Sequence, residues 1–550
     1  DAFAQAEDGT EAGRWLAINW DGWREVGMAV GGAGGEEDSG PAQGLSNEEG
    51  VEAFRRVLAT GLPQVVVATL PFLEELAAER SATAASALED LAEAKHQRTQ
   101  PRPQLSSEYV APGNPVEEAL AAIWSELLGI EPVGIHDNFL ELGGDSLVSL
   151  QVVAKASQQG LGLSAKQVFE HQTIAELAAV AGTAGAGRAE QGLVSGEVPL
   201  TPIQRDFFER GSDRPSHYNQ SVLVEVREPL DPEALEHALA AVLQHHDALR
   251  LRFVEEAGGW RQFHGEAGGE PPFGRLDLSR LAEADRGPAI EAVAARAQLS
   301  LDLGAGPLLR LVCYDLGASQ PWRLLLVVHH LVIDVVSWPL LLEDLARQYR
   351  QLAQGEEPTL PPKTTSFKRW AELLLERANE PAAPQRLAPW VERPWERAAR
   401  LPLDLSGETN RVADAASVAV GLDREQTRRL MQEVPQLYRA RVQDLLLTSL
   451  AETLARFTGS SAVALDLEGH GREAIFDGVD LSRTVGWFTS IYPVLLEVPR
   501  DADPGDRLKA VKEQLLRVSR GGLDFGLLRF LSEQDEVRRQ LERLHAPEVA

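Results

Sequence analysis

Two stretches that cannot carry a hydrophobic stripe cut this chain into pieces, and any fold must fit between them. Residues 98–108 (RTQPRPQLSSE) are stiffened by proline and residues 181–196 (AGTAGAGRAEQGLVSG) loosened by glycine, compositions that behave as linkers. They leave three expected units, 1–97, 109–180 and 197–550. A chain of 550 residues is too long for one core, so a multidomain protein is the expectation, with the last unit itself split into lobes of about 197–375 and 376–550.

Charge excludes some functions. With 83 acidic and 53 basic side chains the net charge is −30, which opposes extended contact with nucleic acid or an anionic membrane, where Lys and Arg supply the affinity. No apolar run approaches the ~20 residues of a membrane span. Cys313 is the single cysteine, so no internal disulfide forms and a reducing compartment, the cytoplasm, is expected. The N-terminus DAFAQAEDGTEAGRW lacks an initiator Met and a signal core, which suggests a piece of a larger polypeptide.

The first unit reads as strand, helix, strand: an apolar run at Trp15–Trp20, helical periodicity over 47–58 behind a cap at Ser46, and a second apolar run at 64–69. That pattern predicts the edge of an α/β, Rossmann-like sheet. The glycines at 31–35 follow no strand and open no helix, so they read as a loop rather than a nucleotide cradle. The second unit is helical, beginning at Pro115 with Val116, Leu120, Ile123, Trp124, Leu127 and Leu128 on one face, and continuing with helices at 146–157 and 173–180. The third mixes strands (221–226, 323–328) with long helices (232–245, 340–352), an α+β pattern.

Two motifs carry chemistry. In DNFLELGGDSL (137–147), two glycines free the backbone before Ser146, which sits at a helix N-terminus where N–H groups favour a phosphate ester; taken alone, such a serine is far more often merely an N-cap. In HHLVIDVVSW (329–338), a histidine pair ends an apolar strand with Asp334 four residues beyond His330. Such a histidine suits a general base, although a metal site or a core histidine has the same look.

Longer stretches resolve these readings by resemblance. Residues 109–180, from YVAPGNPVEEALAAIWSELLG through VGIHDNFLELGGDSL, resemble the carrier domains of nonribosomal peptide synthetases, four-helix bundles, which implies 4′-phosphopantetheine on Ser146, installed by a phosphopantetheinyl transferase. The GGDS form resembles that of carriers feeding epimerization domains. INWDGWREVGMA (18–29) and the segment 44–69 look like the closing part of a polyketide synthase ketoreductase; NADPH would serve only the intact upstream domain, since the catalytic Tyr and glycine fingerprint are missing from this chain.

Residues 197–550 resemble the condensation/epimerization superfamily, two-lobed and chloramphenicol-acetyltransferase-like. PLTPIQRDFFE (199–209), HYNQSVLVEV (217–226), DVVSW (334–338), DLEGHGRE (466–473) and DLSRTVGWFTSIYPV (480–494) resemble the epimerization branch. The resemblance implies His330 and Glu468 as a two-base pair flanking Cα, with His329 in support and Asp334 structural, ion-paired to Arg250. It also implies neighbouring synthase modules and a carrier-tethered acyl substrate as partners. Val335 replaces the family's glycine and would narrow the substrate tunnel, Pro339 replaces an arginine, and the chain stops before the family's closing NYLG-type strand. Epimerization, condensation to an amide or ester, and an inactive docking platform all remain open at this level.

Overall fold

The computed structural model describes residues 100–550 apart from 104, 106, 184–188, 227, 229, 319, 403–417, 419, 519–521, 545, 546 and 550; before residue 100 it describes two strands. The chain forms two compact units, Asp1–Ala92 with Pro402–Ser417, and Glu93–Leu401 with Val418–Ala550. In the first, β1 (Ala17–Trp20) and β2 (Gln64–Val67) pair in parallel, Ala17 opposite Gln64. Parallel pairing requires a crossover connection. The helix expected at 47–58 and the glycine loop at 31–35 lie outside the described residues.

In the second unit, four helices form the carrier region: α1 (Pro115–Leu128), α2 (Ser146–Gln158), α3 (Ala165–Glu170) and α4 (Ile174–Val180). Asn114 starts α1 by accepting the N–H groups of Val116 and Glu117, and Gly129, at φ 65°, closes it. Leu120, Ile123 and Trp124 pack on Phe139, Val152 and Leu177. The segment read as the first linker is strapped to this bundle, since Gln100 and Pro101 pair with Ile130 and Glu131, and Arg102 bonds Asp137 at 2.6 and 2.8 Å. Asp137 is fully buried, which raises its proton affinity, but Arg102, Ser107 and the Gly134 N–H outweigh burial and hold it ionised below its ordinary range.

The condensation region opens with α5 (Pro202–Arg210), β3 (Asn219–Val226) and α6 (Pro232–His245), followed by β4 (Leu251–Glu256) and β5 (Gly259–His264). Next come β6 (Phe273–Asp277), β7 (Leu309–Asp315), β8 (Trp322–His329), α7 (Ser337–Ala353) and α8 (Phe367–Ala378). One sheet runs β6–β7–β8–β3, with only β6–β7 parallel. Strand β8 is central and reads as a continuous apolar run because both of its faces are covered. A second core gathers around α9 (Val442–Thr458), the antiparallel pair β9 (Ala462–Gly469) and β10 (Ser490–Glu497), and α10 (Pro504–Leu516). Pro339 falls in the first turn of α7, where no intrahelical N–H donor is required, so it is accommodated.

Candidate active site

The carrier serine lies on a turn built by two glycines. Gly143 has φ 92°, and a Cβ on Gly144 would stand 2.5 Å from the Phe139 ring. Asp145, not Ser146, is the N-cap of α2, its Oδ1 accepting the Val148 N–H at 2.8 Å. Ser146 is the first residue of a 13-residue helix. Those features fit a phosphopantetheine attachment point: an open glycine turn for the arm and free helix N–H groups for its phosphate. The carrier and condensation regions border a cleft of about 1460 Å³, and Gln158 of α2, which lines it, donates to Glu343 of the condensation region at 3.1 Å. Asp145 is close enough to His470 to raise its proton affinity, though burial dominates and lowers it.

His330 is placed by strand register. Strand β8 lies antiparallel to β3 with Val328 opposite Gln220, so His330, one step past the strand, meets the start of β3. Its ring stacks on Tyr218 (5.2 Å between centroids, 10° between planes) and lies 4.5 Å from Trp487. The hydrogen bonds fix its proton. The Trp338 indole N–H can only donate, and it donates to Gln220 Oε1 at 2.6 Å. Gln220 must then present its amide nitrogen, as donor, to His330 Nε2 at 2.9 Å. Nε2 therefore carries the lone pair, and Nδ1–H donates to the Ile333 carbonyl at 2.8 Å. The arrangement leaves Nε2 as the acceptor nitrogen, its lone pair taken by the Gln220 amide N–H, which must give way for His330 to act as a general base.

Glu468 stands at the end of β9, exposed, accepting from Thr489 Oγ1 at 3.4 Å. Burial raises the Tyr218 hydroxyl's proton affinity, and the Glu468 charge raises it further. His330 thus stacks on Tyr218, and the charge of Glu468 is felt at the same side chain's hydroxyl. His329 is fully buried; Nε2–H donates to the Pro215 carbonyl at 2.8 Å while Nδ1 accepts the Leu331 N–H, and burial pushes it down to about 4, so it is a neutral packing residue.

Asp334 is structural, but its partner is not Arg250. Arg250 is buried against Asp247 at 2.7 Å and the Val194 carbonyl at 2.9 Å. Arg472 of the DLEGHGRE segment instead meets Asp334 at 3.1 and 3.3 Å, donates to the Leu481 and Thr484 carbonyls, and lies 3.8 Å over the Phe488 ring. Asp334 also accepts the Ser337 and Phe488 N–H groups. This buried network ties the histidine loop to the two C-terminal signature segments. Resemblance alone points to Arg250; the five-donor guanidinium that the topology delivers comes from the other lobe.

Val335 does not wedge beside the histidine: it is 67% exposed. Among the described residues only Arg439 is a non-glycine with positive φ, so a valine is unstrained at this position. One further cluster among the described residues has metal-ligand spacing, His245, His246 and Asp344. Both Asp344 oxygens are taken, by His246 at 3.0 Å and Arg483 at 2.5 Å, so it works as a buried ion-pair network. Gln220, Trp338 and Arg472 escape sequence reasoning as functional residues, although each lies inside one of the signature segments.

Residues 194–542 match the condensation domain family and residues 118–181 the phosphopantetheine attachment site family. The chain belongs to the condensation domain family, with a carrier domain ahead of it. It is similar to a linear gramicidin synthase of Brevibacillus parabrevis (48% identity over 427 residues, 78% of this chain) and to chondramide synthase cmdD of Chondromyces crocatus (45% over 437 residues, 78% of this chain). The chain spans 6% and 11% of those two proteins. Among solved structures, the epimerization domain from the third module of tyrocidine synthetase B is similar at 33% identity and TM-score 0.59, over 66% of this chain and 80% of that one. The X-domain from teicoplanin biosynthesis shares the fold at 22% identity and TM-score 0.52, over 64% and 76%. Among the described residues no helix is long and apolar enough to cross a membrane.

Proposed function

We propose that this chain is a segment of a peptide-assembling synthase in which a carrier domain, modified on Ser146, presents an acyl or peptidyl thioester to an epimerization-type site. The observation that carries the reading is the tautomer that hydrogen bonds set on His330, with Nε2 as the acceptor nitrogen; the charge of Glu468 also acts on the Tyr218 hydroxyl, the side chain on which His330 stacks. The likeness to an epimerization domain at 33% identity supports it. The phosphopantetheine, when bound, supplies a flexible arm and a thioester that acidifies the α-carbon. His330 Nε2 takes the proton from Cα, the C–H electron pair moving into the carbonyl. Glu468, in its protonated form, returns a proton to the opposite face, and the net change is inversion.

The condensation-family match favours one second reading, in which His330 assists attack of an amine on the thioester and forms an amide. Loading the holo-protein with an acyl group in heavy water separates the two. Deuterium at Cα that vanishes in His330→Ala supports inversion; product that forms only on adding an amine supports condensation. The segment before the carrier is read as a ketoreductase tail in a mixed polyketide/peptide synthase, whose NADPH site would lie upstream. A phosphopantetheinyl transferase, adjoining modules and a cytoplasmic location complete the setting. Coenzyme A and such a transferase should add one arm, lost in Ser146→Ala.

A further inference from the structure

The glycine-rich stretch 181–196 has the composition of a flexible linker, yet both of its ends are held. At the carrier end, Gly182 and Thr183 pair with Gly162 and Leu161. At the other end, residues 189–196 lie along the condensation region, where basic side chains donate to their carbonyls. Lys363 Nζ reaches the Gly192 carbonyl, Arg250 the Val194 carbonyl and Lys368 Nζ the Ser195 carbonyl, each at 2.9 Å, and the His264 N–H meets the Gly196 carbonyl at 3.0 Å. The Gln191 side-chain amide pairs with the backbone of Lys363 in both directions, at 2.9 and 3.0 Å. Val194 is buried. Asp247 accepts from both Arg250 (2.7 Å) and Lys363 (3.1 Å), so two of the clamping cations are aimed from within the condensation region.

An irregular segment has carbonyls that its own secondary structure does not pair, and Lys and Arg can only donate, so this cluster suits a passing backbone. It fixes the path of the strap more than its side chains. Gly196, at φ 86°, makes the turn into the condensation region, and a Cβ there would stand 3.4 Å from Lys368 Nζ. With both ends held, only residues 184–188 join them, spanning at most about 20 Å, against about 50 Å for a chain free as far as Glu197. The Gln158–Glu343 hydrogen bond is exposed and adds little restraint of its own. Local concentration falls roughly as the three-halves power of linker length, so clamping 189–196 raises that of the carrier at the condensation region about fourfold.

Resting on Ser146 as the attachment point of the arm, we infer that Arg250, Lys363 and Lys368 are positioning residues that clamp the linker. The bound strap confines the carrier to the condensation region, and its release lets the carrier reach other domains of the synthase. The test reads distance and needs neither arm nor turnover. Spin labels on Glu176→Cys in α4 and Glu356→Cys beyond α7, both exposed positions, give the carrier-to-condensation distance distribution in the full chain by pulsed electron resonance; Cys313 is buried and escapes labelling. The unaltered linker should give a narrow distribution. Lys363→Met with Lys368→Met should widen it about 1.5-fold, since the span of a flexible chain grows with the square root of its length. Gln191→Ala alters only an exposed side chain of the strap, should widen the distribution by less, and decides the matter if the lysine pair fails to fold. Widening in either strap variant upholds the clamp. A distribution unchanged in both overturns it, as does one already broad with the unaltered linker, or a Gln158→Ala variant that widens as much as the lysine pair. Arm uptake from coenzyme A is followed separately. Distances as expected without uptake uphold the clamp and refute the role of Ser146; uptake with unchanged distances does the reverse.

Discussion

Replacing Arg472 with Gln should be coupled energetically to Asp334 where replacing Arg250 is not, because only Arg472 faces Asp334; Arg250 pairs with Asp247 instead. Both members of the Arg472–Asp334 pair are almost fully buried, so the substitution strands a carboxylate in a low-dielectric interior. Removing one partner of such a pair costs about 3–5 kcal/mol. The Leu481 and Thr484 carbonyls, which Arg472 serves at 2.9 and 2.7 Å, lose their donor as well, at about 1 kcal/mol each. Burial already lowers the proton affinity of Arg472, the sign of a charge held in place by its partner rather than by water. The measurement is a double-mutant cycle in urea, followed by tryptophan fluorescence. Arg472→Gln with Asp334→Asn should show a coupling of about 2–3 kcal/mol, and Arg250→Gln with Asp334→Asn less than about 0.5 kcal/mol. Coupling to Arg250 and none to Arg472 would refute the assignment of the network.

Gln220→Glu should move the His330 proton where Gln220→Leu does not: a carboxylate still accepts from Trp338 but draws the proton to Nε2, whereas leucine removes both the donor to Nε2 and the acceptor of the Trp338 indole and leaves Nδ1–H on the Ile333 carbonyl. Nitrogen-15 NMR of His330 reads the tautomer directly, and an unchanged spectrum in the Glu variant would sink the relay. Asp466→Asn should alter the pH dependence of stability. A folded value of about 6 lies above the unfolded value, so the stability Asp466 contributes is complete below about pH 4 and is lost as pH rises through 6. The variant should therefore gain about 1–2 kcal/mol over wild type at pH 7.5, allowing for the partial exposure of Asp466 to solvent, and nothing at pH 4; a gain at pH 4 would contradict this. Val335→Gly should leave turnover within about twofold and cost no more than about 1 kcal/mol, since the valine is exposed and unstrained; a tenfold rise in turnover would restore the blocked-tunnel idea.

Much of the scaffold was legible because it is locally encoded. The helix from Pro232 begins where the Asp231–Pro232 pair sets a cap and a first turn, and it ends at His245, as its periodicity predicts. Strand β8 shows in an apolar run of β-branched and aliphatic residues, two residues longer in the structure than in the pattern. The site histidine follows from that strand's end. Distance in sequence explains what was hidden: Gln220 lies 110 residues from His330 and Arg472 lies 138 from Asp334, and nothing in composition or period encodes such pairings.

One device was nonetheless recoverable from residue chemistry once two strands were set side by side. A tryptophan nitrogen cannot accept, a glutamine amide can face either way, and an imidazole can place its proton on either nitrogen. Put in contact in that order, the rigid member decides for the flexible ones. Trp338 orients Gln220, and Gln220 selects the Nε2 lone pair of His330. Only the register of β3 against β8 had to be supplied, because a slip of one residue would turn Gln220 to the other face and leave the histidine proton unassigned. The tautomer of His330 is thus a consequence of sheet pairing.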